Sequence, residues 1–109
     1  MIGNTLLVRV DGSTEMRVWS DHNAMRPYLK QAVDGMLETV PYFTTLDLGN
    51  DVITHCVAFC DEEGKIKEKT FNEFAQYLWS RIAPEIARHD MLVGDVVVVF
   101  GDAEFMREL

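Results

Sequence analysis

Asp61-Glu62-Glu63-Gly64-Lys65-Ile66-Lys67 and Val93-Gly94-Asp95-Val96-Val97-Val98-Val99 are the two stretches whose reading decides the fold. The first is a charged turn between an apolar strand candidate, Val52 to Cys60, and the longest helix candidate. The second leads from a Gly-Asp turn into Val96 to Phe100, a segment apolar on both faces. A strand with no polar face has to be covered on both sides, so both apolar segments are expected at the centre of a sheet.

Towards the N-terminus, Asn4 to Val10 alternates, Asp11-Gly12-Ser13 is a turn signal, and Glu15 to Ser20 alternates again. This pattern predicts a hairpin. Asp21, Asn23 and Pro27 mark the entry to a helix of barely two turns, with Gly35 as its left-handed stop. β-Formers return from Met36 to Leu46, where Pro41 implies an edge, a bulge or a break, and Asp47 to Asp51 is a turn.

Towards the C-terminus, Phe71, Phe74, Ala75, Leu78, Ile82 and Ile86 recur at helical spacing, with Thr70 and Glu73 as a capping pair. The helix is expected to run on through Trp79 to His89, with Pro84 kinking or restarting it near Ala83. Asp102 is placed to cap a last turn carrying Phe105, Met106 and Leu109. The expected architecture is α+β. It has a mixed or antiparallel sheet of about five strands, in β-β-α-β-β-α-β order, and one long helix packed on a face. No repeat or linker divides residues 1–109, so one domain is expected.

At 48% hydrophobic over 109 residues, the chain has the profile of a packed globule and not of a disordered segment. Eighteen acidic side chains against ten Lys and Arg give a formal charge of −8. That field repels phosphate, which disfavours direct binding to nucleic acid or an anionic membrane and favours a basic partner. The apolar run Leu6-Leu7-Val8 is too short for a signal-peptide core, and a cytoplasmic location is expected. On one regular strand the Cα atoms of Cys56 and Cys60 would lie roughly 13 Å apart, beyond disulfide reach of roughly 7 Å.

Several segments together carry a resemblance. They are Leu29 to Gly35, Glu38-Thr39-Val40-Pro41, Asp61 to Lys65 and Val93 to Val98, in this order and spacing. The chain resembles the domain of unknown function numbered 3846, found in bacteriophages and bacterial mobile elements, over a core of about residues 5–101 with a tail at 102–109. Asn72 and Ala75 match the asparagine and small residue that open the helix after the family's glycine-lysine turn. The resemblance implies fold and origin; it brings no catalytic residues.

The chemistry-bearing residues form no catalytic set. His55 alternates away from Cys56 and Cys60, which speaks against zinc. His89-Asp90 suits a helix end, and Asp61 to Lys67 lacks the donor spacing of a calcium loop. No metal, no cofactor and no enzymatic activity are expected.

The expected function is therefore that of a small acidic phage or mobile-element accessory protein. It would bind, and in one version inhibit, a host nucleic-acid-handling or defence protein with a basic surface. Asp47, Asp51, Asp61, Glu62 and Glu63 are the candidate carboxylates that would stand in for phosphates, and Tyr77 and Trp79 are candidate anchors unless they extend the core. The alternatives are a nucleotide-like ligand held by Arg9, Arg17, Arg26 or Lys30, and a structural oligomer. A homodimer by edge pairing, or by docking of the apolar tail, is open.

Overall fold

β1 (Gly3–Val8) is the second strand of a five-stranded antiparallel sheet described, with the rest of residues 1–109, by a computed structural model. β2 (Thr14–Trp19) folds back on β1 across the Asp-Gly turn, in an unbroken register from Gly3 opposite Trp19 to Val8 opposite Thr14. The chain then forms α1 (His22–Val33), β3 (Leu37–Thr39), β4 (Thr45–Gly49), β5 (Val52–His55) and β6 (Val57–Asp61). α2 (Glu73–Ile82), α3 (Pro84–Ala87), β7 (Val96–Gly101) and α4 (Ala103–Arg107) complete it. The sheet order is β2-β1-β7-β6-β3, and β4 pairs with β5 as a separate two-stranded ribbon.

β7 lies centrally, with Val96, Val97, Val98 and Val99 all fully buried, as its two apolar faces require. Alternation divides those valines between two cores. Val96 and Val98 join Val8, Ala58, Ala75 and Trp79 under α2. Val97 and Val99 join Leu7, Met25, Leu29 and Phe105 under α1 and α4. Helices thus cover both faces, as the two apolar faces of β7 require.

The extended segment expected over Val52–Cys60 is two strands. The Cys56 N–H donates to the Thr44 carbonyl (2.9 Å), which turns the chain away from β7 so that β5 pairs with β4. Val52 and Ile53, apolar in sequence, are exposed there. Pro41 does break its segment: β3 ends at Thr39, and Tyr42 takes a left-handed φ of 60°.

The helices differ from expectation at their ends. α1 contains Pro27 and starts at the Asp21 cap, so it has twelve residues where barely two turns had been expected. Its left-handed terminal residue is Asp34 (φ 53°), one before Gly35. The expected long helix is α2 followed by α3, with a restart at Pro84. Asn72, and not Thr70, caps α2: its side-chain oxygen accepts from the Ala75 N–H. Asp102 caps α4 as expected, and Phe105 lies buried against the His22 ring, so the tail docks on its own chain.

Candidate functional site

The turn after β6 is built around one buried carboxylate. Asp61 Oδ2 meets Lys67 Nζ at 2.8 Å and Lys69 Nζ at 2.9 Å, and Oδ1 accepts the Glu63 N–H at 3.0 Å. Burial by itself would push this carboxyl up. The two ammonium groups and the backbone donor outweigh it and hold Asp61 well below the usual carboxylate range. Lys69 also donates to the Val33 and Asp34 carbonyls (2.8 and 2.9 Å), satisfying the end of α1 that Asp34 and Gly35 terminate. A carboxylate whose oxygens are so fully engaged is a joint between α1, β6 and the following loop.

Asn72 is the second joint. It is fully buried, and its Nδ2 donates to the Val8 and Gly94 carbonyls, both at 2.9 Å. Its N–H donates to Leu92 O, while its Oδ1 caps α2. One side chain therefore ties the end of β1, the entry to β7 and the start of α2. Ala75, with no exposed surface, fits one turn further on where a larger side chain would meet the sheet.

The profile of one family, described as a domain of unknown function, matches residues 4–107. The chain belongs to the DUF3846 family. Comparison with curated proteins and with solved structures returned no match. In this DUF3846 domain the stretches Leu29–Gly35, Asp61–Lys69 and Val93–Asp95 meet at one end of the sheet. There the Gly94 N–H donates to Thr70 O (2.7 Å) and Asp95 Oδ1 accepts from the Val10 N–H (3.0 Å).

Beside the Asp61–Lys69 clasp lies a cavity of about 100 Å³, lined by Glu38, Cys60, Glu62, Lys65, Asp90 and the buried Trp79, among others. Lys65 and Asp90 form an ion pair across it, and that contact holds the Asp90 carboxyl below its ordinary range. Neither cysteine offers a nucleophile. Burial pushes the Cys56 thiol up to about 12; burial, with Glu38 and Asp61 nearby, pushes Cys60 up to about 11. His55 is exposed at the end of β5, and no three His, Cys, Asp or Glu side chains are grouped to hold a metal ion.

The candidate partner residues of the DUF3846 domain fall into three places. Asp47 and Asp51 are exposed on the β4–β5 ribbon, which carries no Lys or Arg. Glu62 and Glu63 are exposed beyond Asp61, at the far end of β6 from that ribbon. Asp61 faces inward, so the five carboxylates do not share one face.

The two aromatic candidates separate as well. Trp79 is buried and its Nε1 donates to Pro41 O (2.9 Å), which makes it the largest side chain of the α2 core and no surface anchor. Tyr77 is exposed, stacked near Phe74, with the Arg81 guanidinium 5.7 Å from its ring centroid.

Sequence reading missed the apolar surface beside them. A groove of about 230 Å³ runs between Leu46, Asp47 and Ile53 of the ribbon and Leu78, Arg81 and Ile82 of α2. Ile53 is 67% exposed, and Leu48, Val52, Phe74 and Ile82 also reach solvent. The apolar spacing of α2 suggested that Phe74 and Ile82 face the core, but Asn72 and Trp79 set the rotation of the helix and turn them outward. Surface of this kind beside carboxylates is suited to contact with protein.

Proposed function

We propose that this DUF3846 domain is a small acidic accessory protein of a phage or mobile element. In this reading it has no catalytic activity and binds a basic host or phage protein through the groove between the β4–β5 ribbon and α2. The observation that carries the reading is the exposure of Leu48, Val52 and Ile53 beside Asp47 and Asp51, on a ribbon without a cation. Apolar side chains supply the buried centre of such a contact, and the carboxylates, with the net charge of −8, draw in and orient a basic surface. Where that basic surface belongs to a nucleic-acid-handling or defence protein, occupancy blocks its phosphate site, and the domain acts as an inhibitor in the host cytoplasm.

The nucleotide-type ligand has less support. Arg9 and Arg17 are bonded to Glu15 (2.6 and 2.7 Å), and Arg26 donates to the Glu108 carbonyl, so of the four cations that would have to converge three, all but Lys30, are already engaged.

The test is a pull-down from host lysate with the wild-type domain and with the Asp47→Asn/Asp51→Asn and Ile53→Asp variants, at low and high salt. The reading expects a basic protein that the wild type retains at low salt and releases at high salt, and that both variants lose. A capture equal for all three baits, or none, overturns it.

A further inference from the structure

We propose that β2 pairs with β2 of a second copy of this chain, antiparallel and centred on Met16, so that one sheet runs through a homodimer. The inference is independent of the groove reading, since it uses the edge strand β2 and not the β4–β5 ribbon.

Of the two sheet edges, β3 has three residues and β2 has six. β2 carries no proline and no bulge, and its register with β1 is continuous. The Arg9 N–H donates to Ser13 O at 2.9 Å, which fixes the phase of the ladder. Bonded pairs alternate along antiparallel strands, so Ser13, Glu15, Arg17 and Trp19 turn their backbone groups to β1. Thr14, Met16 and Val18 turn theirs outward, where they meet no partner within the chain. An open edge of this kind is a template for another strand.

Charge selects the register. A two-fold pairing must set outward groups against outward groups, so it centres on a residue. Centring on Glu15 sets that carboxylate against its own copy, and centring on Arg17 sets two guanidinium groups together. Centring on Met16 places Glu15 opposite the partner's Arg17 twice, with Thr14 opposite the partner's Val18. Glu15 and Arg17 already bond at 2.7 Å within one chain, so each is poised to share its partner across the axis.

The other face agrees. Met16 (51% exposed) and Val18 (69%) lie on the α2 side of the sheet, where Met16 pairs with half-buried Leu6. Cross-strand neighbours share a face, so the axis joins the two exposed stripes into one and removes both from water.

Sedimentation equilibrium over a range of concentrations tests the proposal. The wild type is expected to show reversible dimerisation. Met16→Pro, which deletes an outward N–H and leaves the β1 ladder intact, should sediment at the mass of one chain, 12.5 kDa, with its circular dichroism unchanged. Glu15→Arg and Arg17→Glu should each be monomeric alone and recover a dimer when mixed, because only the mixture restores opposite charges on both sides of the axis. A wild type that stays a single chain at every concentration overturns the proposal. So does a dimer that survives Met16→Pro, or one indifferent to the charge variants.

Discussion

Gly35 lies directly against the carboxylate of Asp61: a β-carbon at position 35 would overlap that carboxyl group. The end of α1 and the end of β6 can therefore approach as closely as they do only because residue 35 has no side chain. Asp61 in turn holds Lys67 and Lys69, and Lys69 reaches back to the Val33 and Asp34 carbonyls, so the glycine and the carboxylate are one device.

Gly35→Ala is expected to destabilise the domain by about 2 kcal/mol, through overpacking at a site that cannot relax without moving Asp61. Asp61→Asn is expected to cost about 2–3 kcal/mol, less than a fully buried pair because Lys67 is partly in water. Urea denaturation of the two single variants and the double variant checks the coupling. The double variant should fall short of the sum by at least about 0.5 kcal/mol.

Acid should weaken the fold through the same residue. Because the folded carboxyl of Asp61 sits below its ordinary value of 3.8, the unfolded chain takes up this proton first as pH falls. Its contribution is complete above that ordinary value and is lost progressively below it. Asp102, lowered by the Phe105 and Ile2 N–H groups, acts with the same sign. Thermal melts across the acid range should show a steep loss in the wild type and a shallower one in Asp61→Asn.

Asn72→Ala is expected to cost about 3 kcal/mol. It orphans the buried Val8 and Gly94 carbonyls and uncaps α2 at once. Asn72→Asp keeps the cap but replaces the two donors with acceptors, and is expected to be no milder. Chemical denaturation measures both.

The thiols should be slow to alkylate at neutral pH in the folded domain. Cys60, half-buried and raised to about 11, should react before Cys56, which is buried and raised to about 12. Mass spectrometry after timed iodoacetamide treatment gives the order, and denaturant should make the two rates converge.

What the sequence made legible was local. Alternation located β1 and β2, an unbroken apolar run located β7, Asp102 announced the α4 cap, and Pro84 announced the break between α2 and α3. What it hid depends on distant partners. Val52 and Ile53 read as core because they are apolar, and only the bond from Cys56 N–H to Thr44 O shows that this segment leaves the sheet. Trp79 reads as core before anchor, and the indole N–H donated to Pro41 O holds it there. The groove was illegible for the same reason, since its two walls are 25 or more positions apart in the chain and each looks like core by itself.

The most direct test of the central claim is hydrogen–deuterium exchange of the domain, free and bound to the basic protein that it captures. The account predicts new protection confined to the β4–β5 ribbon and the exposed side of α2, around Asp47 to Ile53 and Tyr77 to Ile82. Protection at the Asp61–Lys69 clasp with none at the ribbon would contradict it.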